Sequence, residues 1–321
     1  MEKRHVVCLG ELLIDFIPET NGLPLCEVGA FRKAAGGAPA NVAAAVARLG
    51  GKSRFIGKIG RDPFGDFLKR TLEDVGVEAA LLESNEAKTG LAFVSLRSDG
   101  ERDFLFFRDP AADMLLRAEE VREDWLADAA VYHFGSVSLI SEPCRTATLE
   151  AARRARALGA LVSYDPNVRL ALWPSEDAAR EEILRQMPLA DVVKVSEEEI
   201  DFLLGEGLTT GAQHLLGLGP KVLVVTLGPR GCRVVTARQD VLVPGRPVEA
   251  VDTTGAGDGF VGGMLFQLAS LGVTPAGIAE ALGDAATAQR VFAFANRVGA
   301  ITTTRRGAIP ALPTFEEISA D

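Results

Sequence analysis

The chain has 321 residues, of which 47% are hydrophobic and 24% charged, with a formal net charge of -10. That length and apolar fraction allow a large buried core and leave no stretch whose composition requires disorder. The acidic balance argues against binding nucleic acid or an anionic membrane through bulk electrostatics, so a small-molecule partner is expected.

From the N-terminus, Met1-Glu2-Lys3-Arg4-His5 runs into a short apolar stretch at 6–9 and then Gly10-Glu11. The stretch is too short for a signal sequence or a membrane span, and a cytoplasmic protein is the expectation. The four cysteines, Cys8, Cys26, Cys144 and Cys232, are scattered and include no CxxC pair. Neither a zinc site nor a disulfide framework is indicated, and buried free thiols are expected.

Strand-like runs occur at 6–9, 54–59, 129–134, 161–165, 191–195 and 222–227. Most are apolar on both faces, which predicts a parallel sheet covered by helices on each side. Helical patterns alternate with them. The first, at 39–49, has Pro39 in its first turn and stops at Gly50-Gly51. Further helices are predicted at 64–75, 142–157, 178–186, 197–204, 257–271 and 286–296, with no internal repeat and no low-complexity linker. The alternation predicts an α/β sandwich. It breaks once, where runs at 91–97 and 103–107 are joined by Ser98-Asp99-Gly100-Glu101 in the manner of a hairpin. Such a hairpin either projects over a site or is an edge hairpin without a part in catalysis.

The strongest local signal is Asp252-Thr253-Thr254-Gly255-Ala256-Gly257-Asp258-Gly259-Phe260, followed at once by an apolar helix pattern at 261–268. Small residues at the start of a helix leave N–H groups bare, and the helix dipole favours an anion there. This reads as a phosphate seat. A carboxylate at Asp258 hinders phosphate binding unless it has chemical work, and removing the proton of an attacking hydroxyl is that work. The competing reading is a helix cap. No G-x-x-x-x-G-K-[ST] occurs, and Phe260 occupies the sixth position where G-x-G-x-x-G needs glycine, so a P-loop and a dinucleotide fingerprint are both excluded.

Three further clusters lie at helix starts or strand ends. Ala35-Gly36-Gly37-Ala38-Pro39-Ala40-Asn41 combines close backbone approach with an amide suited to sugar hydroxyls, or is a tight turn with a local cap. Asp165-Pro166-Asn167-Val168-Arg169 follows a strand, where ligands gather in open α/β sheets, or is an Asx turn with a surface arginine. Thr226-Leu227-Gly228-Pro229-Arg230-Gly231 is a loop able to pass close to a nucleotide, or a hairpin turn.

In this order the clusters resemble the PfkB, or ribokinase-like, family of carbohydrate kinases, from Cys8 to Pro313. Two signatures carry the resemblance. One is Gly36-Gly37-x-Pro39-x-Asn41 through Leu49-Gly50 to Gly57-x-x-Gly60-x-Asp62-x-Phe64-Gly65, and the other spans 252–260. Within the family the chain is most similar to plant-type fructokinases, through residues 10–16, 96–116, 164–169, Leu172-Trp173-Pro174 and 306–313.

The resemblance implies a ribokinase-like three-layer αβα sandwich over 1–321 with a small β-sheet lid from about 15–35 and 89–112. It implies an ATP:sugar phosphotransferase in which Asp258 is the base and Gly255, Ala256 and Gly257 donate N–H groups to the transferring phosphoryl. Asp15, Gly36, Gly37, Asn41, Arg108 and Arg169 would hold the sugar, with Phe104 and Phe106 on the lid. Lys194, Thr226, Gly228, Gly231 and Asn296 would serve the nucleotide, and Mg2+ would arrive with ATP.

The family's N-x-x-E element reads Ser196-Glu197-Glu198-Glu199 here, keeping the glutamate and replacing the asparagine by serine. A K+ ion beside the anion hole is implied at Asp252 and Thr254 and a late loop with Thr302, Arg305, Gly307 and Ala311, where Ala311 replaces a serine of some relatives. The expected reaction is phosphorylation of fructose at O6, with 2-keto-3-deoxygluconate the nearest competing substrate. Ribose or a nucleoside fits the lid sequence less well, and a non-catalytic binding protein would have a damaged anion hole or no base. A homodimer through the lid is expected, because lid strands leave an apolar edge to cover.

Overall fold

The structure is a computed structural model that describes residues 4–20, 22–96 and 102–320; the side chains of residues 95, 96 and 102–104 are also outside the description. The turn Ser98-Asp99-Gly100-Glu101 and the side chain of Phe104 lie outside the described residues.

The strands in chain order are β1 (His5–Leu9), β2 (Leu13–Pro18), β3 (Phe31–Gly36), β4 (Ser53–Gly60), β5 (Glu78–Ser84), β6 (Leu91–Leu96) and β7 (Arg102–Phe107). They continue with β8 (Ala129–Gly135), β9 (Leu161–Asp165), β10 (Val192–Ser196), β11 (Val222–Thr226), β12 (Gly231–Thr236) and β13 (Asp240–Pro244). The helices are α1 (Ala38–Arg48), α2 (Pro63–Asp74), α3 (Cys144–Ala157), α4 (Glu176–Gln186) and α5 (Glu197–Leu204). After these come α6 (Leu208–Gly217), α7 (Ala256–Ser270), α8 (Ile278–Ala281), α9 (Ala285–Thr302) and α10 (Phe315–Ser319).

Val6, Val7, Cys8 and Leu9 are all fully buried, so β1 has no solvent face. Successive side chains of a strand point to opposite faces. Val6 and Cys8 accordingly join one apolar cluster with α1, α2, α7 and α9. Val7 and Leu9 join a second with α3, α4, α5 and α6. Val222 and Val224 of β11 divide from Leu223 and Val225 in the same way. A sheet buried on both faces between two helical layers is the three-layer αβα sandwich that the alternation predicts.

The main sheet has the order β13-β12-β11-β10-β9-β8-β1-β4-β5. β5 through β11 run parallel, whereas β11/β12 and β12/β13 are antiparallel. The Gly228–Gly231 loop is thus the connection of a hairpin at one edge.

A second sheet, ordered β3-β2-β6-β7, carries the 91–107 hairpin. The strands beside that hairpin are Leu13–Pro18 and Phe31–Gly36, while residues 23–30 only link them. One face holds stacked Phe16 and Phe93, 4.6 Å apart, with Phe31 and Phe107 edge-on to Phe93 at 5.3 and 5.7 Å. Cys8, Cys144 and Cys232 are buried free thiols as expected, but Cys26 is exposed. Among the described residues no helix is long and apolar enough to cross a membrane.

Candidate active site

The carboxyl ends of β1, β9 and β10 open beneath the second sheet into a cleft of about 1460 Å³. Helix α7 points its N-terminus at this cleft. Gly255, just ahead of α7, has φ 75°, and a Cβ there would lie 2.8 Å from Ala308 Cβ, so only glycine makes the turn. Asp252 locks the turn. Its Oδ1 accepts from the N–H and hydroxyl of Thr254 at 2.9 and 2.7 Å, and its Oδ2 accepts from Gly307 N–H at 2.9 Å. The N–H groups of Val251 and Asp252 both donate to Thr303 O.

Gly255 and Gly257 line the cleft, where the first-turn N–H groups of α7 lack partners within the helix. Ala256 does not line it, and its N–H donates to Thr253 O at 3.3 Å. A side chain at Gly257 would meet only Lys194 Nζ, at 3.6 Å, so the ammonium stands beside the bare turn.

Asp258 is 8% exposed. Its carboxylate bonds side chains from two other segments: Asn41 Nδ2 donates to Oδ2 at 2.8 Å and Asn167 Nδ2 to Oδ1 at 3.4 Å. This is not the geometry of a helix cap. Burial raises the Asp258 pKa above the ordinary aspartate value, while the Asn41 hydrogen bond, Arg169 and Lys194 pull it back.

Asn41 is delivered by the Gly36-Gly37 bend. A Cβ on Gly36 would fall 2.1 Å from Asp15 Oδ2, and Gly37, at φ 116°, would strike Glu11 O at 2.2 Å. Side-chainless residues let β2 and the start of α1 close on one another. Glu11 Oε1 then accepts from Ala38 N–H at 2.9 Å in the first turn of α1. Asp15 lines the cleft, its pKa pushed up to about 6 by burial, against the pull of Arg169 and with Asp258 adding to the rise.

The segment after β9 is an Asx turn: Asp165 Oδ1 accepts from Asn167 N–H at 3.2 Å. Lys194 Nζ donates to both Asp165 oxygens at 3.2 Å. Burial drives Asp165 upward and Lys194 holds it back. For Lys194 the burial penalty is outweighed by Asp165 and Glu199, which keep the ammonium charged. Arg169 lines the cleft and is exposed, its Nη1 donating to Val168 O at 3.0 Å; Phe106 also lines the cleft.

Other expected site residues stand apart from this wall. Arg108 does not line the cleft; it is buried in an ion pair with Asp113. Ser196 and Glu199 form a capping box on α5, which is what serine in place of asparagine does there. Glu199 Oε2 accepts from Ser196 N–H at 2.8 Å and Oε1 from Val168 N–H at 2.7 Å, tying α5 to the Asx turn.

Thr226 donates to Val195 O at 3.3 Å. Gly228 and Gly231 have φ 56° and 100° in the β11–β12 connection. Asn296 spends its amide on Val243 O and Pro244 O at the end of β13. Thr302 is buried and donates to Val298 O, Arg305 pairs with Glu317, and Ala311 is buried.

Glu11, Asp165 and Asn167 also belong to the site, whereas the sequence assigns a role only to Arg169 of the 165–169 turn and none to Glu11. The Asp-Pro-Asn signal was visible, but which of its side chains turns inward depends on the left-handed backbone at Asn167, φ 45°.

Residues 3–315 match the model of the pfkB family carbohydrate kinases. The chain belongs to the PfkB family of carbohydrate kinases. It is 50% identical over 318 residues to probable fructokinase-7 of Arabidopsis thaliana, covering 98% of this chain and 91% of the relative. It is 49% identical over 316 residues to fructokinase-1 of Zea mays, covering 98% and 96%.

Fructokinase with bound ATP from Xylella fastidiosa superposes on this PfkB kinase with a TM-score of 0.91 at 39% identity, covering 99% of this chain and 98% of that one. Fructokinase from Vibrio cholerae O395, in a form with fructose, ADP and calcium ion bound, gives a TM-score of 0.87 at 35% identity with the same coverage. A PfkB kinase is an ATP-dependent sugar phosphotransferase, and the cleft beneath the second sheet is its candidate site.

Proposed function

We propose that the chain transfers the γ-phosphoryl group of ATP to O6 of D-fructose, giving fructose 6-phosphate and ADP. The observation that carries the reading is the buried Asp258 carboxylate in the first turn of α7, facing the cleft beside the bare Gly255–Gly257 turn. The identity to fructokinases over nearly the whole chain supports fructose as the sugar.

In this reading the sugar lies between Asp15, Asn41 and Arg169 with a primary hydroxyl at Asp258, which takes its proton as the oxygen attacks. Phosphoryl transfer asks mainly for positioning and charge stabilisation. The N–H groups of Gly255 and Gly257 and the Lys194 ammonium meet the transferring charge. Mg2+ arriving with ATP would supply further neutralisation of phosphate charge. The Glu199 carboxylate, behind the cleft wall and with one hydrogen bond to each oxygen, keeps lone pairs through which it would act on such an ion by way of its water.

For K+ the residues that would hold it are Asp252, Thr254, Thr302, Arg305, Gly307 and Ala311, on two segments that the Asp252 carboxylate ties together through Thr254 and Gly307. The ion would fix the turn that forms the anion hole. The second sheet would act as the lid and pair with a second copy. Leu105 and Phe107, 48% and 57% exposed on its edge strand β7, are the surface such a partner would cover.

The test is ADP release with fructose, 2-keto-3-deoxygluconate, ribose, tagatose and adenosine, with Mg2+ present and K+ varied. Selective turnover of fructose is expected. Selective turnover of another sugar would overturn the substrate, and no turnover across the panel would overturn the catalytic reading.

A further inference from the structure

Asn167 is the one non-glycine residue with positive φ among the described residues, at 45°. Asparagine tolerates this conformation better than most residues, yet backbone held there persists only where its surroundings impose it. Two contacts impose it. Asp165 Oδ1 accepts from Asn167 N–H at 3.2 Å, and Pro166 O accepts from Ser136 N–H at 3.2 Å. Asp165 is in turn fixed by Lys194. If the turn served only to reverse the chain, glycine would do, and a side chain there would have no reason to point into the protein. Instead Asn167 Nδ2 reaches Asp258, 91 residues away in sequence.

We infer that Asn167 is a positioning residue for Asp258: its amide holds Oδ1 while the amide of Asn41 holds Oδ2, fixing the plane of the carboxylate toward the sugar hydroxyl. The inference rests on Asp258 being the base. Primary amides suit this duty because they neither gain nor lose a proton in the working pH range, and each donor favours the ionised carboxylate. The other groups facing Asp258 are Asp15 from β2, Asp165 and Arg169 from the end of β9 and its loop, and Lys194 from β10. Arg169 and Lys194 favour the anion, Asp15 and Asp165 oppose it, and none of the four bonds it directly in the way the two amides do.

The test uses the full chain, with Asn167→Gly, which keeps the positive φ and deletes the amide, and Asn167→Asp, which replaces the donor by an acceptor. Kinetic constants for fructose and ATP are measured from pH 5 to 9. For Asn167→Gly we expect kcat to fall by about 10- to 100-fold. Both KM values should stay within about 2-fold, and the acid limb of kcat/KM should move to higher pH. Asn167→Asp should move the limb further in the same direction.

An acid limb that stays in place in both variants overturns the inference. So does a loss confined to the KM for fructose, which would make Asn167 a sugar contact. The wild-type enzyme is the control. If it fails to turn over fructose, the proposed function falls; if it succeeds and the limb does not move, the inference falls alone.

Discussion

The side-chain amide of Asn41 donates to Asp258 Oδ2 at 2.8 Å, joining the first turns of two helices that lie 217 residues apart in sequence. One residue of the Gly36-Gly37 cluster thereby orients the carboxylate of the other signature. Asn41→Ala should lower kcat/KM for the sugar by about one to two orders of magnitude, since both a substrate contact and an orienting donor go. Steady-state kinetics check this. Wild-type kinetics in the variant would detach Asn41 from the chemistry.

The pH behaviour follows from burial. Asp258 must be ionised to accept a proton, and its pKa is raised, so the acid limb of kcat/KM should lie above the ordinary aspartate value of about 3.9. A profile flat down to pH 4 would contradict this.

Stability should respond in the opposite sense. Burial pushes Glu11 from 4.5 up to about 7, and the backbone N–H groups of Glu11 and Ala38, with Arg108 after them, only partly offset it. The folded form therefore binds the proton that the unfolded form has released, and stability falls as pH rises from about 4.5 through about 7. At about 1.4 kcal/mol per pKa unit the total loss across this window is on the order of 3 kcal/mol. Denaturant melts of the ligand-free protein should show Glu11→Gln with a flatter profile between pH 5 and 8. Parallel profiles for the two proteins would remove Glu11 as the source.

Gly255→Ala tests the anion hole. Positive φ and the approach to Ala308 both penalise a methyl group, so the turn must shift and carry its N–H groups with it. By analogy with the loss of one oxyanion donor, kcat should fall by about 10²- to 10³-fold. A variant that keeps its kcat would mean that this turn does not meet the transferring group.

Asp62 caps α2, accepting from Phe64 and Gly65 N–H at 3.0 Å each, and its other oxygen takes Thr89 N–H at 2.9 Å ahead of β6. Asp62→Ala should cost about 1–2 kcal/mol in equilibrium unfolding, with kcat little changed. A large loss of kcat without loss of stability would instead give Asp62 a part in catalysis.

The sequence was most legible where local physics decides the structure. Fully apolar runs such as 6–9 and 222–225 announce buried parallel strands, and Pro39 with Gly50-Gly51 brackets α1. β2 is hidden because Asp15 interrupts its apolar pattern and faces the cleft, and β5 because Glu78-Ala79-Ala80-Leu81-Leu82-Glu83 has helical composition. In α6, Thr209-Thr210-Gly211 hides the helix; Gly211 is there because a Cβ would lie 2.3 Å from Ile200.

The site was legible as separate turns and not as contacts. That Asn41 and Asn167 converge on Asp258, or that Arg108 is absorbed by Asp113, depends on tertiary closure that no local window contains.

The most direct test of the base is Asp258→Asn, which keeps the shape and the amide partners nearby while removing the proton acceptor. ADP release from MgATP with fructose should fall by about 10²- to 10⁴-fold, while equilibrium binding of fructose and of ATP stays close to wild type. Turnover at the wild-type rate would contradict the mechanism and leave Asp258 a structural carboxylate.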